Sequence, residues 1–539
     1  MTPHRRSPLW VAVCVTWLGC AGGEPDGSDG LPAVDTGGAV SGDGTWMGEP
    51  LSAGCEPGDG GTASNTVLVT NHVRYHTLVG TAQRPWDMSA NPPHVLVPDG
   101  GTFTRIDGMA TDGGYRFAGV PQGTYYLGTG RAYIVTDARQ VELGSDHLGR
   151  SDTVFTDVSV TPLQLDLSNL APWVPAWESE ALASSLELVS GQVEMMGDVF
   201  LYDYPLAGQT TLATSEAESW NASNTFPVFE AAKGDALYVN QLGAVDAGTL
   251  PGGDSLTSRT VVRSAQLAPF NFTADGTTPL QLSAVMQPVP TREVSLEWRL
   301  PEYTARATQM HPSATLRTPE FRIEAGAHRP EAGSVGLSGT LLQLSLPSGS
   351  SYNFTRRLTY GAPFPATWAQ VASAWYFLRH EEPIPDGSGR KYVVNFSNLV
   401  TTDRLADLVA SPLRPRIAPP RGLTIDGLNA YVQRQVGTTS PVIAWQPPDL
   451  GNPTGYRVAL SRYTDTHGFG MLELQGYFYV PGTTTQVRLP PGTLLPGSIY
   501  QVRVLAMDIA GHDLRQRPFG MSGLPQGSAS TLSSLFTTP

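Results

Sequence analysis

Apolar residues along most of this chain fall at every second position within short stretches, and each stretch is closed by Gly, Pro or Asp. Val67-Leu68-Val69, Val95-Leu96-Val97, Tyr115-Arg116-Phe117 and Tyr125-Tyr126-Leu127 have this form, and so do Leu186-Glu187-Leu188-Val189, Ala236-Leu237-Tyr238-Val239, Val294-Ser295-Leu296-Glu297-Trp298 and Leu341-Leu342-Gln343-Leu344. A period of two puts alternate side chains on one face of a strand, so the pattern predicts many short strands joined by turns. Asp112-Gly113-Gly114 suits a tight turn with positive φ, after which Tyr115 and Phe117 share a face. Two stretches have an alternative reading as short helices, Trp368 to Leu378 and Asp403 to Val409. With 58 Gly and 45 Pro in 539 residues, the expected fold class is mainly β, several β-sandwich modules in tandem after a disordered tether.

The beginning of the chain breaks this pattern. Arg5 and Arg6 precede an apolar run from Pro8 to Leu18, and Gly19 stands immediately before Cys20. The run is shorter than the about 20 residues a membrane helix needs, so it reads as an export signal over residues 1–19. Residues 20–65 are rich in Gly, Asp, Ser, Thr and Pro, and from 21 to 64 large apolar side chains are scarce. Such a segment cannot bury enough surface to offset the entropy of ordering it, and a flexible tether is expected.

Three resemblances follow from these residues. Trp17-Leu18-Gly19-Cys20 resembles the lipobox of bacterial lipoproteins, with Leu18 two rather than three positions before the cysteine. The resemblance implies cleavage before Cys20 and acylation of its sulfur and new amino terminus, with an ordinary cleaved secretory signal as the alternative. Leu51-Ser52-Ala53-Gly54-Cys55 lacks the preceding apolar segment and is a decoy. The run from Thr111 through Gly113-Gly114-Tyr115-Arg116-Phe117 to Pro121-Gln122-Gly123-Thr124-Tyr125 resembles carboxypeptidase regulatory-like and collagen-adhesin B-type modules. It implies a transthyretin-like sandwich over residues 66–148 that serves as a spacer or binding module. Without a lysine between 66 and 150, the Lys-to-Asn crosslink of adhesin members cannot form. From Pro419-Pro420 onward, Val442-Ile443-Ala444-Trp445, the alternating Tyr456, Val458 and Leu460, and Leu495-Pro496-Gly497 leading to Tyr500 resemble a fibronectin type III domain over residues 415–539. The resemblance implies core roles for Trp445 and Tyr500, the latter as a tyrosine corner. Thr464 to Gly482 is long for that pattern and reads either as an extra hairpin with a binding edge or as a long loop.

Between these modules lies a central β region, divided into residues 149–290 and 291–414. Thr161-Pro162-Leu163-Gln164-Leu165 returns as Thr278-Pro279-Leu280-Gln281-Leu282, which suggests two similar sandwiches in tandem or a coincidence.

Charge and chemistry narrow the functions. The net charge of −14, or −16 once Arg5 and Arg6 leave with the signal, argues against a nucleic-acid partner. Cys14 leaves too and Cys20 is acylated, so Cys55 has no partner for a disulfide. The only lysines, Lys233 and Lys391, lie outside any phosphate-binding loop. Ser388-Gly389-Arg390-Lys391 satisfies Ser-x-x-Lys but falls in a turn, no Gly-x-Ser-x-Gly occurs, and His380-Glu381-Glu382 lacks a second histidine four residues on. His72 and His76 share a strand face with Arg74 between them; a metal there needs His94 or Asp99 as well and a cation out of the way. Glu178 with Glu180, and Glu381 with Glu382, are the available carboxylate pairs, although sequence neighbours rarely flank a glycosidic bond. No catalytic residue, metal site or cofactor is assigned.

Extracellular β modules stack sugar rings on exposed aromatics, and Trp220, Trp368 and Trp375 are the candidate ligand platforms, against the usual burial of tryptophan. The expectation is therefore an exported lipoprotein of the outer membrane, periplasmic or surface-facing and held by lipid on Cys20. It binds carbohydrate or another envelope or extracellular protein without catalysis. The alternatives are a secreted glycan-degrading hydrolase with its catalytic region in 150–412, and a structural envelope spacer.

Overall fold

The computed structural model describes residues 65–177, 183–466 and 469–539. Cys20, Cys55, the export signal, the tether, and Glu178 with Glu180 lie outside the described residues. Strand dominates, as the period-two pattern requires, and helix is confined to single turns. No helix among the described residues is long and apolar enough to cross a membrane.

The first module pairs two four-stranded sheets. Gln140–Glu142, Thr66–Thr70, Gly114–Ala118 and Met109–Thr111 form one, and Thr102–Asp107, His94–Asp99, Tyr125–Thr129 and Ala132–Thr136 form the other. Val67, Val69 and Phe117 from the first meet Val95, Leu127 and Ile134 from the second, all fully buried.

Residues 160–286 build a second sandwich with its own core of Leu163, Leu165, Leu188, Met195, Phe226 and Phe229. The repeated pentapeptide is here a pair of neighbours. Val160–Ser168 and Leu280–Val285 run parallel with Leu163 opposite Leu280 and Leu165 opposite Leu282, so like residues stack across one sheet and the tandem-sandwich reading is corrected. Their shared sequence reflects a shared environment, one face in the core and one outside.

In the third module the ladder Thr291–Arg299 with Asn353–Gly361 belongs to the same core as the sheet of Thr315–Gly326, Gly339–Ser345, Ala369–Pro383 and Lys391–Arg404. The helix considered at Trp368 to Leu378 is instead the start of the long Ala369–Pro383 strand. Ala372, Ala374, Tyr376 and Leu378 point into the core, while Val371, Trp375 and Phe377 lie on the opposite face. Apolar residues on both faces, small ones inward, mask the alternation. Within Asp403 to Val409 only Leu405–Leu408 is helical.

The fourth module has one sheet of Leu428–Asn429, Arg421–Ile425, Val442–Gln446 and Gln486–Arg488 and another of Phe469–Pro481, Gly455–Thr466, Ile499–Ile509 and Gln526–Leu532. Tyr456, Val458, Leu460, Val502, Val504 and Ala506 are fully buried. Trp445 meets Tyr456 edge-on at 5.1 Å. The Leu495 N–H donates to the Tyr500 hydroxyl at 2.8 Å, closing the tyrosine corner. Of the two readings of Thr464 to Gly482 the structure takes the hairpin, as the end of Gly455–Thr466 and its antiparallel partner Phe469–Pro481.

Exposed strand edges offer unpaired N–H and C=O groups, and this chain joins its modules through them. Phe469–Pro481 pairs in parallel with Ala132–Thr136 of the first module, Phe478 opposite Tyr133, and those two rings stack at 5.1 Å. A side chain on Gly476 would stand 2.9 Å from the Arg131 carbonyl that accepts the Tyr477 N–H, so glycine permits this approach. On the other edge of the same sheet, Gln526–Leu532 pairs with Lys391–Arg404. The Asn398 amide there donates to the Ser530 carbonyl at 2.9 Å and accepts the Ser530 N–H at 2.7 Å. A third seam sets Gly339–Ser345 against Ser255–Leu267, and Thr260 donates to the Leu341 carbonyl at 2.6 Å. One hydrogen-bonded path thus runs from Thr102–Asp107 through all four modules to Leu280–Val285. The third and fourth modules also share one hydrophobic core.

Candidate functional site

Met195–Leu201 and Leu212–Asn221 lie side by side with Phe200 opposite Glu218 and Asp198 opposite Trp220. Alternation sends Met195, Val199 and Leu201 into the core of the second module and leaves Asp198 and Phe200 outside. From the neighbouring strand, Glu218 and Trp220 join the same outer face. Trp220 is 48% exposed, Tyr202 64% and Trp177 60%, and Phe200, Tyr204 and Leu206 are exposed as well. Phe200, Tyr202 and Trp220 make one group of exposed rings on this face, and Trp177 with Tyr204 makes a second on the same module; grouped exposed rings mark an interaction surface, whereas single ones are ordinary.

These rings are held. Glu218 Oε1 accepts the Tyr202 hydroxyl at 2.5 Å and the Trp220 indole N–H at 3.4 Å. That bond to a carboxylate pushes the Tyr202 phenol up to about 12, so it stays a neutral donor. Phe200 and Trp220 lie 6.0 Å apart at 63°, and Trp177 and Tyr204 meet edge-on at 5.6 Å. The turn carrying Tyr204 and Leu206 is fastened to Trp173 by two backbone bonds, Trp173 N–H to the Gln209 carbonyl at 3.0 Å and Gly208 N–H to the Trp173 carbonyl at 2.8 Å. Polar groups continue the face across the next strands, where Gln164 stands opposite Gln281 and Asp166 opposite Ser283. The arrangement offers ring faces for stacking and fixed carboxylate and amide groups for hydrogen bonding, the combination that sugars require.

The three tryptophans have separate fates. Trp220 is on this face. Trp368 is 6% exposed, stacked on Phe364 at 4.5 Å and edge-on to Tyr238, so it is a core residue and not a platform. Trp375 is half-buried with the Arg322 guanidinium 4.8 Å from its ring centre, which occupies the face a sugar would use. Phe200, Tyr202, Tyr204 and Trp177 were missed by sequence reasoning. The available signal was charge: residues 151–232 contain twelve Asp and Glu and no Lys, Arg or His.

A second polar cluster lines an open cleft of about 510 Å³ between the third and fourth modules. Ser313 Oγ lies 2.8 Å from His311 Nδ1 and 3.0 Å from His380 Nδ1, and His380 Nε2 lies 3.2 Å from Glu382 Oε1. The chemistry resembles a nucleophile, a base and an orienting acid, but His311 and Glu382 are engaged with the fourth module, and His380 Nε2 approaches Glu382 without forming a hydrogen bond. Two imidazoles, their centres 4.0 Å apart, share one hydroxyl, and His311 Nε2 reaches Ser534 Oγ at 3.1 Å. Glu382 takes the Leu535 N–H at 2.8 Å and the Gln433 amide at 2.9 Å, both from the fourth module. Burial and the neighbouring His380 hold His311 down at about 4, so it is neutral at pH 7. Glu381 lies on the opposite side of its strand from Glu382 and pairs with Lys391 at 2.8 Å, so these two carboxylates diverge.

The other candidates are structural in the same sense. His72 bonds Glu142 at 2.8 Å, and Arg74 and His76 both bond Asp146, in part through a two-pronged guanidinium contact at 2.8 and 2.9 Å. His94 is elsewhere, its ring over Gly128 and edge-on to Tyr133. Among the described residues no group of three His, Cys, Asp or Glu is placed to hold a metal ion. Ser388 and Lys391 sit at a hairpin turn with Ser388 Oγ accepting from Arg390.

A family model for the fibronectin type III domain matches residues 418–519, in agreement with Trp445, the tyrosine corner and the two-sheet topology of the fourth module. The chain is a mainly β modular protein carrying a C-terminal fibronectin type III domain. No curated protein matches it.

Proposed function

We propose that this protein is a non-catalytic binding lipoprotein, anchored by acylation of Cys20 in a bacterial outer membrane and gripping an envelope or extracellular carbohydrate through the aromatic face of its second module. The observation that carries the reading is the set of exposed rings around Trp220, oriented by Glu218 and lying outside every inter-module seam. The first module is read as a carboxypeptidase regulatory-like spacer. Its parallel pairing with Phe469–Pro481 supports a spacer held rigidly to the rest of the chain.

The test is a glycan array probed with the full chain and with Trp220→Ala. Binding to a polysaccharide that the variant loses by tenfold or more, about 1.4 kcal/mol, supports the reading; equal binding by both proteins, or none by either, rejects it. The anchor is tested apart from the face. Intact-mass analysis of native protein should show an acylated Cys20, and Cys20→Ser should leave the detergent phase.

A further inference from the structure

The second module departs from the rest of the chain in its charge. Its stretch 151–232 holds twelve acidic residues and no basic one, against a net −14 for all 539 residues. Glu218 lies two residues before Trp220 on its own strand and bonds its indole, with Glu216 a further two residues along. Elsewhere, rings are covered by the protein's own arginines: Arg139 on Tyr125, Arg322 on Trp375 and Arg457 on Tyr477. No arginine among the described residues stands over the Trp220 ring; Asp198, opposite it on the neighbouring strand, feels Arg259 and Arg322.

Resting on the binding reading above, we infer that the ligand is a polymer of amino sugars bearing protonated amines, in preference to neutral or acidic polysaccharides. An indole or phenol ring attracts an ammonium group through its negative face, and tryptophan does so best. A carboxylate beside the ring attracts the same group, and Glu218 is fixed next to Trp220 by the bonds it accepts. A uronic acid polymer stacked on Trp220 would meet like charge from Glu218, which is unfavourable at contact distance. A neutral sugar would stack but gain nothing from the acidic surround. Spaced amines on a stiff chain can contact several carboxylates at once, so affinity rises with chain length.

The experiment compares the glucosamine hexamer with the N-acetylglucosamine hexamer on the full chain in detergent, at about pH 5.5, where exposed carboxylates are ionised. The expected result is binding of the glucosamine hexamer at least about tenfold tighter at low salt, shrinking towards parity at about 1 M salt. Trp220→Ala should weaken both hexamers, and Glu218→Gln should weaken only the glucosamine hexamer, by about threefold, with the melting temperature unchanged. Equal binding of both hexamers, or an advantage that ignores salt, overturns this inference and leaves the carbohydrate reading intact. Glucosamine binding that Trp220→Ala does not touch overturns the role given to the ring. Failure of the glucosamine hexamer to bind, with other glycans bound on the array, overturns the amino-sugar assignment alone; failure of every glycan overturns both.

Discussion

The second module and the block formed by the third and fourth use the same alternating strands to opposite ends. Leu163, Leu188, Met195 and Phe226 close a core belonging to the second module alone, and its strands Met195–Leu201 and Leu212–Asn221 keep an outer face exposed with its rings held in place. In the block, Trp298, Phe321 and Tyr376 belong to one core with Trp445, Tyr456 and Tyr500, and backbone pairing through Gln526–Leu532 continues the sheet from one module into the next. The second module keeps one core to itself and an outer face free, although its Val189, Tyr238, Ala247 and Leu256 join the core of the block; the third and fourth modules complete each other throughout and serve as scaffold.

The strongest test of this contrast is Trp298→Ala. Trp298 is fully buried and edge-on to Tyr303 at 6.0 Å, and its loss should destabilise the block by about 3–5 kcal/mol. Calorimetry should show the third and fourth modules melting together at lower temperature while the transition of the second, which keeps its own core, shifts less. One transition that moves as a whole would erase the distinction.

Titration separates the regions with opposite signs. Glu187 of the second module is buried, both its oxygens face the Thr340 N–H at 3.2–3.3 Å, and burial raises it to about 8 from 4.5. The folded state then holds a proton the unfolded state gives up, so this contribution is complete below pH 4.5 and is lost as pH rises towards 8, about 5 kcal/mol in all. Chemical denaturation of Glu187→Gln across that range should lack this slope. His311 in the block is depressed to about 4 from 6.5, so the unfolded state takes the proton first on acidification. Its contribution is complete above pH 6.5 and fades as pH falls towards 4, about 3 kcal/mol; His311→Gln should flatten that acid limb.

Smaller effects probe the seams and the face. Tyr133→Ala removes the stack on Phe478 and should weaken the joint between the first and fourth modules by about 1 kcal/mol, seen as faster hydrogen exchange at Tyr477 and Tyr479. Trp220→Ala should change stability by no more than about 0.5 kcal/mol while abolishing ligand binding. A large loss of stability there would mean that the ring serves the fold.

Legibility followed locality. Tyr456, Val458, Leu460, Trp445 and Tyr500 announce the fourth module because each acts within a strand or a turn, whereas the stretch after Thr464 showed its length but left hairpin and loop open. Trp368 and Trp220 were indistinguishable in sequence: both are tryptophans near small and polar residues, and only packing separates the one stacked under Phe364 from the one opposite Asp198. The echo of Thr161–Leu165 in Thr278–Leu282 was visible, but its meaning as adjacent strands was not, since a parallel partner across a gap of over a hundred residues leaves no local mark.

Taken alone, the sequence determined the strand period, the turns, the fibronectin type III module and the acidity of residues 151–232, because side-chain type and spacing carry these directly. The tertiary structure alone decided which edges were joined and which aromatic face was left to solvent. Edge pairing is made by backbone N–H and C=O groups that every residue but proline possesses, so nothing in the identity of Tyr477 or Ala132 foretells that they will meet.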